Sequence, residues 1–219
     1  MFRRKELKYF FPLLFSIAIY SCAGETNYLV NLKLAKNAVS NYVENGGFHK
    51  DAIDAVEKAK VEFDKITPDK NSAVIFDVDE TALSNYSINK TLDFGYIEKD
   101  WDKWIDSAKA PAIPEVMDLY NYLVNKGFKI IFLSGRKYYQ RETTTKNLIS
   151  AGYTKFDTLI VKSEKYLNQT ALKYKSNKRT ELENAGYKIV GTVGDQWSDL
   201  EGPFHGIQVK IPNYQYFIK

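Results

Sequence analysis

Three times along the chain a helical run closes on glycine and an aromatic residue, and an apolar run follows at once. The three are Asn125-Lys126-Gly127-Phe128 before Ile130–Leu133, Ala151-Gly152-Tyr153 before Thr158–Val161, and Asn184-Ala185-Gly186-Tyr187 before Ile189–Val193. Glycine at that place supplies the left-handed residue that ends a helix. Helices and short β-rich runs in strict alternation predict an α/β fold, a parallel sheet with helices on both faces. Ala73-Val74-Ile75-Phe76 opens the sheet, and Ile207–Ile211 is read as a last strand.

Ahead of that sheet, apolar residues at helical spacing predict two helices, Asn27 to Asn45 and His49 to Ile66, separated by Gly46-Gly47. Between the first and second strands lies an aromatic segment from Leu83 to Pro114, with Tyr86, Phe94, Tyr96, Trp101 and Trp104, expected to be irregular. Trp101 and Trp104 stand three apart and share a face if helical, either as core or as a wall beside a site. The chain has 219 residues and 44% hydrophobic content, enough for one domain with a full core, which excludes global disorder.

The N-terminus is expected to stand apart from the domain. Arg3, Arg4, Lys5 and Lys8 precede a short apolar run from Phe10 to Tyr20, then Ser21-Cys22-Ala23-Gly24. That layout predicts an export signal over residues 1–21, the domain occupying residues 22–219. Residues 1–21 carry a net charge of +3, so the remaining chain falls from +4 to +1. The basic balance therefore gives no reason to expect a nucleic-acid polymer as partner. Ile19-Tyr20-Ser21-Cys22 resembles a bacterial lipoprotein signal, which implies a lipid anchor on Cys22 and a place in the cell envelope, the outer membrane first. With Cys22, the chain's one cysteine, acylated, no disulfide is available to the domain.

Chemistry concentrates at the predicted strand ends. Asp77 and Asp79 follow the first strand two apart, so an extended backbone projects both carboxylates to one side at the sheet's carboxyl edge. Two crowded acids suit metal-assisted chemistry in which one attacks and the other moves a proton. The same segment, Asp79-Glu80-Thr81, also fits a capping turn. The second strand ends in Ser134-Gly135-Arg136, a hydroxyl and a glycine-freed amide suited to a phosphate oxygen or to a plain turn. The fourth ends in Gly194-Asp195-Gln196-Trp197-Ser198-Asp199, where acids can complete a hard-cation site or where Asp195 or Ser198 can cap a short helix. A basic helix start, Lys173 to Arg179, offers Lys173, Lys175 and Lys178 as the positive charge such a site requires.

In order, Asp77-x-Asp79-x-Thr81, Ser134-Gly135-Arg136, Lys175 within Tyr174-Lys175-Ser176-x-x-Arg179, and Gly194-Asp195-x-x-x-Asp199 resemble the four motifs of the haloacid dehalogenase (HAD) superfamily. The resemblance is to its subfamily IIIB, secreted and lipoprotein acid phosphatases with the plant vegetative storage proteins, and it spans roughly Asn27 to the C-terminus. It implies a Rossmann-like HAD fold with the aromatic segment as a small cap, and a Mg²⁺-dependent phosphoric monoester hydrolase working through an aspartyl-phosphate. It implies Asp77 as nucleophile and Asp79 as proton carrier. Thr81, Ser134, Gly135, Arg136 and Lys175 would serve the phosphate, and Asp77, Asp79 (through its carbonyl), Asp195 and Asp199 the metal. The substrate implied is a small phosphate monoester, with a nucleotide as one option. A non-catalytic binding or storage protein on the same fold is the alternative.

Overall fold

Helix α1 (Leu32–Glu44) and helix α2 (Gly47–Asp64) precede strand β1 (Ser72–Phe76) in the computed structural model, which describes residues 29–218. The proposed leader and Cys22 lie outside the described residues. The chain divides at Asn31 into two units, and all the helices and strands described lie in the second, from Leu32 onward. After β1 come α3 (Tyr86–Thr91), α4 (Glu98–Ser107), α5 (Pro114–Lys126), β2 (Lys129–Lys137), α6 (Arg141–Ser150) and β3 (Thr158–Lys162). Then follow α7 (Ala171–Asn184), β4 (Lys188–Gly194), α8 (Trp197–Leu200) and β5 (Ile207–Lys210). The aromatic segment is thus not irregular throughout, since α3 and α4 occupy half of it. No helix among the described residues is long and apolar enough to cross a membrane.

The strands form one parallel sheet in the order β3-β2-β1-β4-β5. The chain builds outward from β1 through β2 to β3, then crosses back to lay β4 on the other side. β1 and β4 therefore flank the point where strand order reverses, the place where open α/β sheets bind ligands. Successive residues of β1 serve opposite faces. Val74 and Phe76 join Phe63 of α2, Leu119 and Leu123 of α5 and Leu148 of α6, while Ala73 and Ile75 join Tyr174 and Leu182 of α7. Helices thus cover both faces, which is why β1 is buried at every position and apolar from Ala73 to Phe76 rather than alternating.

The recurring glycine module works as its spacing predicts. Gly127 adopts φ 91°, and Phe128 N–H reaches back to the Leu123 carbonyl at 3.1 Å, closing α5 and turning the chain into β2. Tyr153 and Tyr187 make the equivalent bonds to Leu148 and Leu182, at 2.9 and 3.1 Å. The aromatic that follows each glycine also packs. Tyr153 is fully buried, stacks edge-on against Tyr120 and Phe132, and donates its hydroxyl to the Ala82 carbonyl at 2.9 Å. That bond ties α6 to the loop leaving β1. Phe76 meets Tyr120 and Phe132 in the same cluster, so the residue before Asp77 is held in dense aromatic packing.

Two N-terminal helices exist as expected, but only α2 contributes to the core. α1 buries none of its residues. It is attached by polar contacts instead: Tyr42 to Asp51 of α2 at 2.8 Å and Glu44 to Tyr86 of α3 at 2.7 Å.

Candidate active site

Asp77 is the first residue past β1, and its amide extends the ladder by donating to the Val193 carbonyl at 2.9 Å. The next turn is tight. Glu80 takes φ 51°, a left-handed conformation unfavourable for a side-chain-bearing residue. No helix starts here, so the capping alternative for Asp79 and Thr81 does not hold; α3 begins at Tyr86. Asp77 and Asp79 both line a pocket of about 430 Å³ at the carboxyl edge of the sheet, together with Lys175, Asp195 and Asp199.

The sheet brings three acids from two strand ends together. Asp77, Asp195 and Asp199 are buried, with one carboxylate oxygen from each lying within 4.8 Å of the others. Lys175, itself buried on α7, donates its ammonium to both Asp77 and Asp199. This resolves the choice within the basic run: Lys173 is exposed and Lys178 pairs with Glu181 at 2.6 Å. Asp199 also accepts the Gln196 amide at 3.0 Å, so the capping expected of Asp195 or Ser198 is performed by Asp199 around α8.

The remaining motif residues sit beside the cluster in supporting positions. Thr81 is fully buried and donates to Asp195 at 3.2 Å; it is not part of the pocket lining. The Ser134-Gly135-Arg136 stretch is still strand, not loop, but the β2–β3 register breaks between Leu133 and Lys137, which bulges these residues toward the site. Ser134 Oγ accepts the Arg136 amide at 3.0 Å, and Gly135 lines the pocket. Arg136 does not point a free guanidinium at the pocket. It is bonded to Asp79 at 2.7, 3.1 and 3.2 Å and to Thr144 at 3.2 Å.

Several residues of this site carry no signal in the sequence. Asn85 donates to Asp79 at 2.8 Å and accepts from Trp104 at 2.8 Å, and its backbone amide donates to Glu80 at 2.7 Å. Arg179 is different, since it belongs to the quoted motif around Lys175; fully buried, it binds the carbonyls of Asp199, Glu201 and Pro203, pinning the loop after β4. Asn213 and Tyr216 reach Asp195 and Glu80 from beyond β5, at 2.7 and 2.5 Å. The two tryptophans divide: Trp104 packs on the core, whereas Trp101 lines the pocket with Phe94 and Tyr96. Tyr86 is turned away toward Glu44.

Acid outnumbers base here. Burial pushes Asp77 well above the ordinary carboxylate range, with Lys175 opposing and Asp199, Asp195 and Asp79 reinforcing. Asp195 is pushed up to about 7 by burial and then by Asp199. Glu80 also rises to about 7, through burial and the charge of Asp79. Lys175 stays above the usual lysine value, Asp199 and Asp77 overcoming its own burial. Among the described residues, Lys175 is the one cation hydrogen-bonded to the carboxylates of Asp77, Asp195 or Asp199. Hard oxygen donors in such an excess fit a small divalent cation.

Gly194 shows how closely this edge is built. A Cβ there would lie 2.5 Å from Asp199 Cβ and 2.6 Å from its Oδ2. Gly194→Ala is expected to cost about 1–3 kcal/mol of stability and to lower any turnover about 100-fold by displacing Asp199. Thermal unfolding and steady-state rates on the purified variant check both.

A parallel sheet with an acid cluster at its switch point defines an α/β domain of the Rossmann-like class. Within that class the chain belongs to the HAD superfamily, subfamily IIIB (acid phosphatase), whose sequence model matches residues 14–219. It is 35% identical over 204 residues to acid phosphatase 1 of Solanum lycopersicum, covering 89% of this chain and 80% of that one. It is 41% identical over 154 residues to a stem 31 kDa glycoprotein of Glycine max, a match spanning 68% of this chain and 61% of that protein. Among solved structures, the class C acid phosphatase from Bacillus anthracis with tungstate bound superposes with a TM-score of 0.66 at 25% identity, over 85% of both chains.

Proposed function

We propose that this protein is a Mg²⁺-dependent phosphomonoesterase in which Asp77 is the nucleophile. The observation that carries the proposal is the placement of Asp77: buried at the head of β1, bonded to Lys175, clustered with Asp195 and Asp199, and open to the pocket. Asp77 attacks the phosphorus of a monoester, forming a bond from its carboxylate oxygen as the bond to the leaving oxygen breaks. Asp79 gives that oxygen its proton, and the alcohol departs. Asp79 then takes a proton from water as the water attacks the aspartyl-phosphate, releasing phosphate and restoring Asp77. Arg136 and Asn85 hold the Asp79 carboxyl in place for both transfers.

Ser134 and the Gly135 amide serve a phosphoryl oxygen, and Lys175 balances charge on Asp77 and the phosphate. Thr81 acts through Asp195 rather than on the phosphate. Asp77, the Asp79 carbonyl, Asp195 and Asp199 would hold Mg²⁺, whose chemistry is to neutralise charge on the phosphoryl oxygens. Tungstate, an oxyanion of phosphate-like shape, is bound in the Bacillus anthracis enzyme, which supports an oxyanion as the kind of ligand this protein takes.

Phe94, Tyr96 and Trp101 on the pocket wall favour a leaving group with an aromatic ring, which makes a nucleoside monophosphate the leading substrate class. One panel tests both statements: p-nitrophenyl phosphate, 5′-nucleotides and sugar phosphates, with Mg²⁺ and with EDTA. Expected are hydrolysis of the aryl and nucleotide esters at higher kcat/KM than the sugar phosphates, and loss of activity in EDTA. A well-folded protein that turns over none of them points instead to a binding or storage role.

We also propose export, on the basic start, the short apolar run and Cys22. Metabolic labelling with palmitate is expected to mark the wild-type chain and not Cys22→Ala. A labelled Cys22→Ala chain would remove the anchor from Cys22.

A further inference from the structure

The segment at 212–218 returns from the end of β5 across the acid cluster, and its polar contacts converge on one carboxylate. Asp195 Oδ2 accepts two amide groups, from Asn213 at 2.7 Å and from Gln196 at 2.6 Å. Each amide is oriented at its other end by backbone of this same segment. Gln215 N–H donates to Asn213 Oδ1 at 2.8 Å, and Ile218 N–H donates to Gln196 Oε1 at 2.9 Å. Since a backbone N–H can only donate, it holds the oxygen end of each amide toward itself and leaves the NH₂ end for Asp195. Asp195 Oδ1 meanwhile accepts Thr81. A buried carboxylate with donors on both oxygens has its plane and its direction set before any ligand arrives.

The same segment makes its other contacts elsewhere. Tyr216 donates to Glu80 and Asn89 donates to the Gln215 side chain, both on the β1 side of the site. Asn213 thus acts on the Asp195 carboxylate, and Tyr216 on the turn carrying Asp79.

We infer that Asn213 is a positioning residue of the cation site, orienting Asp195 from outside the ligand set, and that the 212–218 segment is a built part of that site. The inference rests on the Mg²⁺ reading proposed above and adds to it a residue outside the four motifs. Groups that hydrogen-bond a metal-ligating carboxylate govern its affinity, and losing one typically weakens binding about 10–100-fold.

The test is calorimetric titration of Mg²⁺ alone into the full-length, EDTA-stripped protein. Asn213→Leu is expected to raise the Mg²⁺ dissociation constant about 10–100-fold, while Tyr214→Ala, in the same segment but exposed and packed edge-on against Tyr42, leaves it within about twofold of wild type. Asn213→Ala serves as the second variant should leucine disturb the packing, with the same expectation. Equal binding by wild type and both Asn213 variants would overturn the inference and leave the metal site standing. So would equal weakening by Asn213→Leu and Tyr214→Ala, since the segment would then act only as general support. A wild-type protein that takes up no Mg²⁺ overturns the metal site and this inference together.

Discussion

Asp77→Asn should abolish phosphatase activity without destabilising the protein. Asparagine keeps the shape of aspartate but cannot form the acyl-phosphate, so kcat/KM against p-nitrophenyl phosphate is expected to fall by about 10⁴-fold or more, a loss of about 5.4 kcal/mol of transition-state stabilisation. The stability side has the opposite sign to most buried polar substitutions. In the metal-free fold Asp77 is held well above its ordinary value by burial, with Asp199, Asp195 and Asp79 adding repulsion. A carboxyl group that binds its proton more tightly when folded subtracts from stability as pH rises above the unfolded value of about 4. A neutral amide at that position escapes the penalty, and Lys175 retains Asp199 as a partner. The melting temperature in EDTA at neutral pH should therefore equal or exceed that of wild type. Retained turnover in this variant would remove Asp77 as nucleophile and the mechanism with it.

Lys175→Met should do the reverse, harming the fold as much as the chemistry. Lys175 is buried and is the only cation bonded to the Asp77 and Asp199 carboxylates among the described residues. Methionine fills similar space but leaves two buried carboxylates facing each other without compensation. Breaking a buried ion pair from one side costs about 3–5 kcal/mol, which for a domain of this size lowers the melting temperature by about 6–20 °C. Turnover is expected to fall about 10²–10³-fold through lost stabilisation of transition-state charge. The deficit in stability should narrow as the pH falls from about 8 toward about 5, because Asp77 then enters the fold neutral. It should also narrow on adding Mg²⁺, which restores positive charge. A melting curve matching wild type in EDTA at neutral pH would show that the ammonium contributes nothing to holding the acids together.

Much of this was legible in the chain because it is local. The glycine modules prescribe where α5, α6 and α7 stop, since a left-handed residue and a six-residue back-bond need only neighbouring atoms. The strands at β1 to β5 follow from short apolar runs placed between those stops. The clustering of Asp77, Asp195 and Asp199 follows in turn, because parallel strands put their ends, and whatever comes next, on one edge. Where the reading failed, the deciding contact was distant. The helices α3 and α4 have six and ten residues, too short for periodicity to announce them, and α4 is anchored by buried Ile105 and by Trp104 on the core. The Ser134 stretch looked like a loop because a bulge in β2 is set by the register with β3. Arg136 lines the pocket, and the motif does not reveal its ion pair with Asp79, 57 residues away.

The sequence by itself determined the order of elements, the parallel sheet and which strand ends carry acids, because periodicity, capping and strand alternation act over a few residues. Only the tertiary structure decided which lysine enters the cluster, that Trp101 and not Trp104 faces the pocket, and that Asn213 and Tyr216 reach acids more than a dozen residues away. Those outcomes depend on the sheet's crossover and on the path of 212–218, which place side chains remote in sequence within hydrogen-bonding distance. No local propensity encodes such a meeting; it is settled by the satisfaction of buried polar groups once the core has formed.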